Sequence, residues 1–542
     1  MDQKIEHDDV AAVNPLYWLH INQIKVDGRP FDLIGRKYQQ EIMSPKTKQG
    51  VFKHNECIRK GSQIGITIGK VCEAAHGALH RVYPQGVIFY FPNKTAVEMF
   101  SQSRFKPFIE DNPETIGKYM GKTDRVDIRR IGDVNVYFFG GGATSRVGGD
   151  KKDSTAVRST PADWVIIDER DLFDDVMARQ INQRLGNSII KRRTDIGTPT
   201  IPDLGIDALY KKSDQRKWQI PCDCGKFTCV EENFPRCIKS DAERGHIACI
   251  HCGKPINANL GSWEPDYADR DVVGYWASQM LNPNCDYNLL LKQYANPDAY
   301  DLDEGEFLRT VLGVPHIDAD DELLESDVYA CCGSYRMPYD STESCAMGVD
   351  VNWPELNVVI GHRLDRERHK ILNVSRVTEW PELLDLARRY NVKSCVVDAQ
   401  PERHKVEEFK KIAPFDVFAC FYSEHLKSFD SWDKDKRIVN VQRTEVFDAT
   451  HELVKKPGML QLPAINDELK VYAHQMTRTV RVLEKNESTG TPIYRYRARG
   501  DKEDHYRNAT NYYLLAAKKV GYAESKYKPV KRTLTQSMEF SL

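Results

Sequence analysis

Apolar and polar segments alternate along the chain in the way that predicts an α/β protein. In the first half, short apolar stretches lead into a Gly/Ser-rich turn near residue 61 and into an acidic turn after Ile167. In the second half, apolar strands and one helix follow each other at residues 345–351, 357–362, 370–377, 382–390 and 394–398. The pattern predicts a second α/β domain whose first three strands form a hairpin-linked meander.

The apolar run from Trp164 to Ile167 ends in two acids, Asp168 and Glu169. A buried strand of this length delivers both carboxylates to one edge of a sheet. That arrangement is typical of the Walker B strand of an ATPase. Its first acid holds Mg²⁺, and its second polarises the water that attacks the γ-phosphate.

The Gly/Ser-rich turn follows a short apolar stretch and precedes residues 71–75, which begin a helix. Glycines in such a turn let backbone N–H groups point at phosphates, and a helix N-terminus adds its dipole. Ile66 stands where such loops carry their lysine, so Lys60 or Arg59 must take that role. The candidate nucleotide contacts are Lys60, Gly61, Ser62, Gln63, Gly65 and Thr67, whose hydroxyl can reach Mg²⁺.

Four cysteines form two short pairs, Cys222 with Cys224 and Cys249 with Cys252, and each pair is followed by glycine. Two such turns can present four thiolates tetrahedrally to Zn²⁺. The site is predicted to be structural, because four protein ligands leave no open position. The first pair has one intervening residue where two are usual, so the alternative ligands are Cys229, Cys237, His246 and His251.

Length and composition fit a large intracellular protein. The 542 residues exceed one core and predict two or three domains. No apolar run approaches ~20 residues and no signal peptide opens the chain, which predicts a soluble, non-secreted protein. Outside the cluster the 14 cysteines are scattered, which argues against a disulfide framework. Because the net charge is −2, any DNA track must be local.

The order of these motifs resembles the large terminase subunit of tailed phages, the motor that packages DNA into a prohead. The chain is most similar to the branch with the lambda-type large subunit, in which the Walker A lysine stands at the start of the loop, as Lys60 does. The resemblance covers roughly residues 30–520. It implies an ASCE/RecA-like P-loop ATPase domain (1–215), a zinc-ribbon insertion (216–262), a lid and linker region (263–335), an RNase H-like nuclease domain (336–521) and a flexible tail (522–542).

Several segments take the roles that the family assigns them. Residues 31–43 look like the adenine-binding element, with Tyr38 and Gln39 facing the base. Residues 140–159 look like the glycine-rich segment that leads into Walker B. Thr198 falls in the coupling motif, as a γ-phosphate sensor, and residues 274–281 and 306–315 look like lid and linker elements.

An RNase H-like nuclease places acids at the ends of adjacent strands, where they bind two divalent ions (Mg²⁺ or Mn²⁺) about 4 Å apart. These ions activate water and stabilise the leaving 3′-oxygen. Asp350 and Asp398 fit the first two positions. Many relatives carry the third acid where this chain has Asn508, so we assign it to Asp504, one turn upstream on the same helix face. Asp501 is the alternate, and His505 is a further ligand or a phosphate contact.

Two groups of arginines are candidates for contacts with other molecules. Arg104 lies on a predicted helix. If Arg104 contacts the γ-phosphate bound by a neighbouring subunit, ATP hydrolysis depends on assembly. The alternative role for Arg104 is an ion pair on the helix surface. Arg146 and Arg158 are the next candidates for the contact in trans. Residues 478–499 are predicted to form a hairpin. Its basic side is expected to contact the DNA backbone through Arg478, Arg481, Arg495, Arg497 and Arg499.

The resemblance implies ATP-driven translocation of double-stranded DNA and metal-dependent cutting of concatemers. The implied partners are double-stranded DNA, the portal protein, the small terminase subunit and further copies in a ring, with no membrane and a location in the host cytoplasm. The tail after Tyr522 is expected to dock on the portal. A helicase-nuclease would share both chemistries but should show further helicase motifs, and a scaffold with decayed sites is suggested by Ile66 and Asn508.

Overall fold

The computed structural model describes residues 9–141, 160–173, 175–318, 320–424, 426–485, 492–500 and 503–521. The chain divides into two compact units, Met1–Ile317 and Asp318–Leu542. Among the described residues, no helix has both the length and the apolar character that a membrane span requires. Residues 142–159 of the predicted glycine-rich segment 140–159, with Arg146 and Arg158, lie outside the described residues, as do Asp501 and the tail.

The first unit contains fifteen strands and ten α-helices whose two ends both lie within the described residues. The strands are β1 (Lys25–Val26), β2 (Arg29–Pro30), β3 (Asn55–Lys60), β4 (Val87–Phe91), β5 (Met120–Arg125), β6 (Ile128–Ile131), β7 (Val134–Gly140), β8 (Trp164–Ile167), β9 (Arg192–Gly197), β10 (Lys217–Pro221), β11 (Phe227–Thr228), β12 (Ile238–Lys239), β13 (His246–Ile247), β14 (Ser262–Glu264) and β15 (Val273–Ala277). The helices are α1 (Pro15–Ile21), α2 (Tyr38–Ile42), α3 (Ile66–Leu79), α4 (Lys94–Phe100), α5 (Lys106–Glu110), α6 (Asp175–Ile181), α7 (Gly205–Lys212), α8 (Val230–Asn233), α9 (Tyr287–Ala295) and α10 (Glu304–Phe307).

Eight of these strands form one sheet in the order β15-β3-β9-β8-β4-β7-β6-β5. The six strands from β15 to β7 run parallel, and the last two run antiparallel. Because β3, β9 and β8 are neighbours with one direction, the residues that follow their carboxyl ends meet at one edge of the sheet. The cysteine-rich insertion is folded separately, on β10, β11 and β14 and on the pair β12 and β13.

One expected element lies elsewhere than predicted. Val273–Ala277, assigned from the sequence to a lid and linker region, instead forms the strand beside β3, with Ala277 paired to Lys60. Tyr275 in this strand is fully buried, and its hydroxyl donates to Glu41. Burial of such a large side chain favours a place in the core sheet over an exposed lid.

A cluster of charged side chains lies in the core beneath the Gly/Ser-rich turn. Glu56 on β3 accepts hydrogen bonds from Lys53 Nζ at 2.5 Å and from Lys70 Nζ at 2.8 Å. Lys70 also contacts Glu73, which in turn binds Arg192 at 2.6 Å. Each charge in this buried charge cluster has an opposite partner, as burial requires. Lys70 is therefore a core residue and not a phosphate ligand.

The second unit is built on another eight-stranded sheet. Its elements are β16 (Cys345–Asn352), β17 (Glu355–Arg363), β18 (His369–Val377), β19 (Val392–Asp398), β20 (Asp416–Ser423), β21 (Asp430–Asp433), β22 (Ile438–Gln442) and β23 (Leu460–Gln461), the separate hairpin β24 (Thr479–Lys485) and β25 (Pro492–Ala498), and α11 (Glu325–Ala330), α12 (Trp380–Arg389), α13 (Arg403–Ile412), α14 (Arg443–Lys455), α15 (Asp467–Met476) and α16 (His505–Ala517).

The order of this sheet is β21-β22-β20-β19-β16-β17-β18-β23. The meander β16 to β18 is antiparallel, as the sequence predicted, and β19 and β20 add to it in parallel. α16 packs directly on β16: a side chain at Gly348 would collide with the backbone of Ala509 and Tyr513. The missing side chain allows the close approach of helix and strand.

Candidate functional sites

The Gly/Ser-rich turn joins β3 to the amino end of α3. Gly65 (φ +79°) and Gln63 (φ +56°) both adopt the left-handed conformation, which bends the chain sharply into the helix. Helix α3 has 14 residues, so its first-turn N–H groups and its dipole make this end suitable for an anion. The local geometry is that of a phosphate-binding loop.

Two acids and a hydroxyl meet beside this loop. Thr67 Oγ1 donates to Asp168 Oδ2 at 3.1 Å. Lys60 Nζ lies 3.6 Å from Glu169 Oε1. Burial, with the neighbouring charge of Glu169, raises the pKa of Asp168 to about 6, against the opposing effects of Lys60 and the Thr67 hydrogen bond. A buried carboxylate beside a hydroxyl is a fitting oxygen-ligand pair for Mg²⁺.

Arg59 points away from this group. Its Nη1 donates to Asp207 Oδ1 at 2.8 Å, and its guanidinium lies 4.2 Å from the ring centroids of Tyr210 and Trp276. Of the two basic residues that the sequence left open, Lys60 is the one that the structure places next to the acids.

Tyr38 and Gln39 are buried against the loop. Both side chains donate to the carbonyl of Ile64, at 3.2 Å and 2.5 Å. Their contact with adenine stays a prediction. Thr198 follows β9 directly and is half-buried. Because Arg59 pairs with Gly197, the next residues, Lys60 and Thr198, lie level with each other at the sheet edge.

Two backbone contacts of the loop had no signal in the sequence. Gly61 N–H donates to the carbonyl of Ala277 at 2.8 Å, and Ser62 N–H donates to the carbonyl of Thr310 at 2.6 Å. Gly313 (φ +67°) packs on the backbone of Lys60, where a Cβ would lie 3.0 Å from the carbonyl carbon. Every residue has a carbonyl, so only this glycine could have indicated the close approach.

The four predicted cysteines converge. Their Sγ atoms all lie within 4.8 Å of one another, and Cys222–Cys252 and Cys224–Cys249 are 3.5 and 3.8 Å apart. Thiolates about 2.3 Å from a tetrahedral zinc would lie about 3.8 Å apart, so the four sulfurs fit that ion. Of the alternatives, Cys229 contacts Glu231, Cys237 contacts the carbonyl of Val230 and His246 contacts Asp241.

Asp350 and Asp398 lie on neighbouring strands. Val349 pairs with Val397, so the two acids are level, at the carboxyl end of β19. Burial raises the pKa of Asp350 to about 6, and burial together with the charge of Asp350 raises the pKa of Asp398 to about 7. The charge of Asp350 disfavours ionisation of Asp398, which is the arrangement that a bound cation would stabilise.

Asp504 directly precedes α16, close to this pair. Asn508 Nδ2 donates to Asp504 Oδ1 at 3.2 Å, and Tyr422 OH donates to Asn508 Oδ1 at 3.0 Å. Asn508 therefore holds Asp504 in place. His505 Nδ1 lies 2.9 Å from Asp350 Oδ2, so the helix end contacts the strand acid directly.

Some of the arginines predicted to contact a neighbouring subunit or DNA form ion pairs within the chain. Arg104 lies in a π-helical turn after α4, is exposed, and has its Nη1 3.9 Å from Asp27 Oδ2. Arg481 binds Asp321 and Asp448, and the guanidinium of Arg499 binds Glu322. The hairpin is present, but these two of its arginines are paired with carboxylates. Their contact with DNA stays a prediction.

Residues 36–263 match the family model described as phage terminase large subunit gpA, ATPase domain. No curated protein matches the chain. Among solved structures, the chain is similar to the large terminase of bacteriophage HK97, with 13% identity, 93% of this chain and 99% of that chain covered, and a TM-score of 0.48. The large terminase of the thermophilic bacteriophage D6E, in complex with ATP-gamma-S, has 11% identity, coverages of 88% and 98%, and a TM-score of 0.32.

Proposed function

We propose that this chain is a large terminase subunit, a DNA-packaging ATPase whose two units carry separate hydrolytic sites, one for ATP and one for the phosphodiester bonds of DNA. The observation that carries the ATP site is the meeting of Lys60, Thr67, Asp168 and Glu169 beside the loop. The domain bounds expected from the sequence are proposed with one change, which assigns β15 to the ATPase sheet.

In the ATP site, Thr67 and Asp168 would hold Mg²⁺, which neutralises phosphate charge when bound. Lys60, now 3.6 Å from Glu169, turns to the β- and γ-phosphates of bound ATP. Glu169 is then left to orient the attacking water and to accept its proton. We assign the adenine contact to Tyr38 and Gln39, and the γ-phosphate contact to Thr198.

In the second unit, Asp350, Asp398 and Asp504 would hold two divalent ions, which supply an activated water and stabilise the leaving oxygen. The buried, mutually repelling carboxylates fit such ions. Asp504 contributes from the helix, and Asn508 fixes its carboxylate. His505 orients Asp350 through their hydrogen bond.

The cysteine cluster would hold one structural Zn²⁺ through Cys222, Cys224, Cys249 and Cys252. Elemental analysis of protein purified without chelator should give one zinc per chain. We expect Cys224→Ser to lose the metal. If it keeps zinc, Cys229 or His251 must be the fourth ligand; if the wild-type protein contains none, the cluster is not a zinc site.

The family implies DNA and a packaging machine as partners. Within that machine we propose a ring of copies in which Arg104 serves the neighbour's γ-phosphate, with the small subunit and the portal as further partners and the segment after Tyr522 docking on the portal. ATP turnover that does not depend on protein concentration, and that Arg104→Ala leaves unchanged, would remove Arg104 from this role.

Two matched variants test the separation of the sites. Glu169→Gln should bind ATP but hydrolyse it slowly, while Mg²⁺- or Mn²⁺-dependent plasmid cleavage continues. Asp350→Asn should cut no plasmid and keep DNA-stimulated ATP hydrolysis. Loss of both activities in both variants would contradict two independent sites, and wild-type protein that does neither reaction would favour a scaffold.

A further inference from the structure

Asp171 connects two segments that border the ATP site. Its Oδ2 accepts hydrogen bonds from both the N–H and the hydroxyl of Thr200, each at 2.8 Å. Its Oδ1 accepts the N–H of Ile206, near the start of α7, at 2.6 Å. A single carboxylate thus ties the turn after β8 to the segment after β9.

The segment after β9 is shaped around this carboxylate. Gly205 has φ +50°, and a side chain there would collide with the Asp171 carboxyl group. An ionised carboxylate that accepts three hydrogen bonds forms strong contacts, because each bond is charge-assisted. The close approach of Gly205 and the positions of the three donors suit a carboxylate on a side chain as short as that of aspartate.

The turn that Asp171 anchors contains Glu169. Glu169 has φ +54°, an unfavourable conformation for a non-glycine residue, which persists only where the surrounding structure imposes it. The N–H of Leu172 donates to the carbonyl of Glu169 at 3.0 Å, which closes a tight turn over residues 170–172. Asp171 lies in the middle of this turn.

We propose that Asp171 is a positioning residue for ATP hydrolysis: by holding Thr200 and the N–H of Ile206, it sets the turn that aims the Glu169 carboxylate and joins it to the Thr198 segment. This inference rests on the role proposed above for Glu169. The simpler role, that Asp171 only stabilises the start of α7, predicts a loss of stability without a specific loss of turnover.

The Thr200 hydroxyl allows a mild test. Thr200→Val keeps the side-chain shape and the N–H but removes the hydroxyl donor, whereas Thr200→Ser keeps the donor. We expect Thr200→Val to lower kcat for DNA-stimulated ATP hydrolysis about tenfold, the loss of about one hydrogen bond to a charged group. KM for ATP and the affinity for ATP-gamma-S should stay within about twofold of wild type, and Thr200→Ser should behave as wild type.

Combination with Glu169→Gln shows whether the effect runs through Glu169. In that background, Thr200→Val should cause no further loss. If Thr200→Val has a normal kcat and Glu169→Gln is inactive, the proposed role of Asp171 is wrong, whereas the proposed role of Glu169 stands. A parallel fall of kcat, nucleotide affinity and Tm in Thr200→Val and Thr200→Ser also overturns it, because that result is the structural role.

If Glu169→Gln itself turns over at the wild-type rate, the assignment of Glu169 is wrong. The failure then lies in the proposed function, and the positioning role falls with it. The two failures are therefore distinguished by the single variant Glu169→Gln.

Discussion

The two units support their acidic sites with different kinds of buried polar group. Beneath the phosphate loop, the buried charge cluster of Lys53, Glu56, Lys70, Glu73 and Arg192 joins β3, α3 and β9 through ion pairs. Around the acids of the second unit, α16 is held by hydroxyl groups: Tyr472, Tyr512 and Tyr513 are buried, and Tyr422 is half-buried. Burial raises the pKa of each of these phenols well above its ordinary value, so the phenols stay neutral.

The difference matches what each site must hold. Neutral phenols add no counter-charge to Asp350, Asp398 and Asp504, so the carboxylates remain available to cations. The proposed ATP site instead needs a positive charge near the phosphates. The three basic groups of the cluster are bound to its two carboxylates, whereas Lys60 lies outside the cluster with its Nζ 3.6 Å from Glu169 Oε1.

The largest effect is expected from Glu56→Gln. This change removes the carboxylate that Lys53 and Lys70 share, and loss of one partner of a buried ion pair costs about 3–5 kcal/mol. Tyr422→Phe removes the hydroxyl that binds Asn508 and Asn511, which should cost about 1–3 kcal/mol. Amide hydrogen exchange in β3 and in β16 measures the stability of each unit separately. If the two variants lost equal amounts of stability, the contrast between the two units would be wrong.

Lys60→Ala should slow ATP hydrolysis about 10²–10³-fold, the usual consequence of losing one electrostatic contact to the transition state. Plasmid cleavage should continue, because Lys60 belongs to the first unit. Lys239→Ala, at an exposed position on β12, is the control for a lost surface charge. Near-normal turnover in Lys60→Ala would show that another cation serves the phosphates.

Asp398→Asn should reduce metal-dependent DNA cleavage by about 10²-fold or more, since the variant removes a charge that the ions need. ATP hydrolysis should be unchanged. The exposed acid Asp416, at the opposite end of the neighbouring strand β20, offers the control Asp416→Asn. Equal cleavage by both variants would remove Asp398 from the site.

The smallest effect is the acid dependence of the first unit. The paired lysines and Arg192 lower the pKa of Glu56 to about 2, against the opposing effect of burial. In the unfolded chain this carboxyl has a pKa of about 4.3. Its contribution to stability is therefore complete above pH 4.3 and is lost as the pH falls towards 2. Urea unfolding between pH 5 and pH 3 should show this loss in wild type and a weaker pH dependence in Glu56→Gln.

Local patterns predicted much of this molecule. The strand that ends at Ile167 and the meander from Cys345 are each apolar runs with clear ends, and both were found. The prediction of two α/β units with a four-cysteine insertion is confirmed. The absence of the usual lysine at Ile66 directed attention to Lys60 and Arg59, and of these two Lys60 lies beside Glu169.

Contacts made by distant or common groups were not predictable. The link from Asp171 to Thr200 depends on how two strands lie beside each other, and acids after a strand are frequent. The buried charge cluster draws its members from three segments, residues 53–56, 70–73 and 192, and none of these residues belongs to a recognised motif. Val273–Ala277 was misassigned because a short aromatic strand gives no indication of which strand it will pair with.

The backbone contacts of the phosphate loop also set an order of events during synthesis. Gly61 and Ser62 are bonded by carbonyls of Ala277 and Thr310, which leave the ribosome much later. At ~5–20 residues per second, the roughly 250 intervening residues take about 12–50 seconds to make. Until then the loop lacks two of its supports, so a nascent chain cannot complete the proposed ATP site before its first unit is almost fully translated.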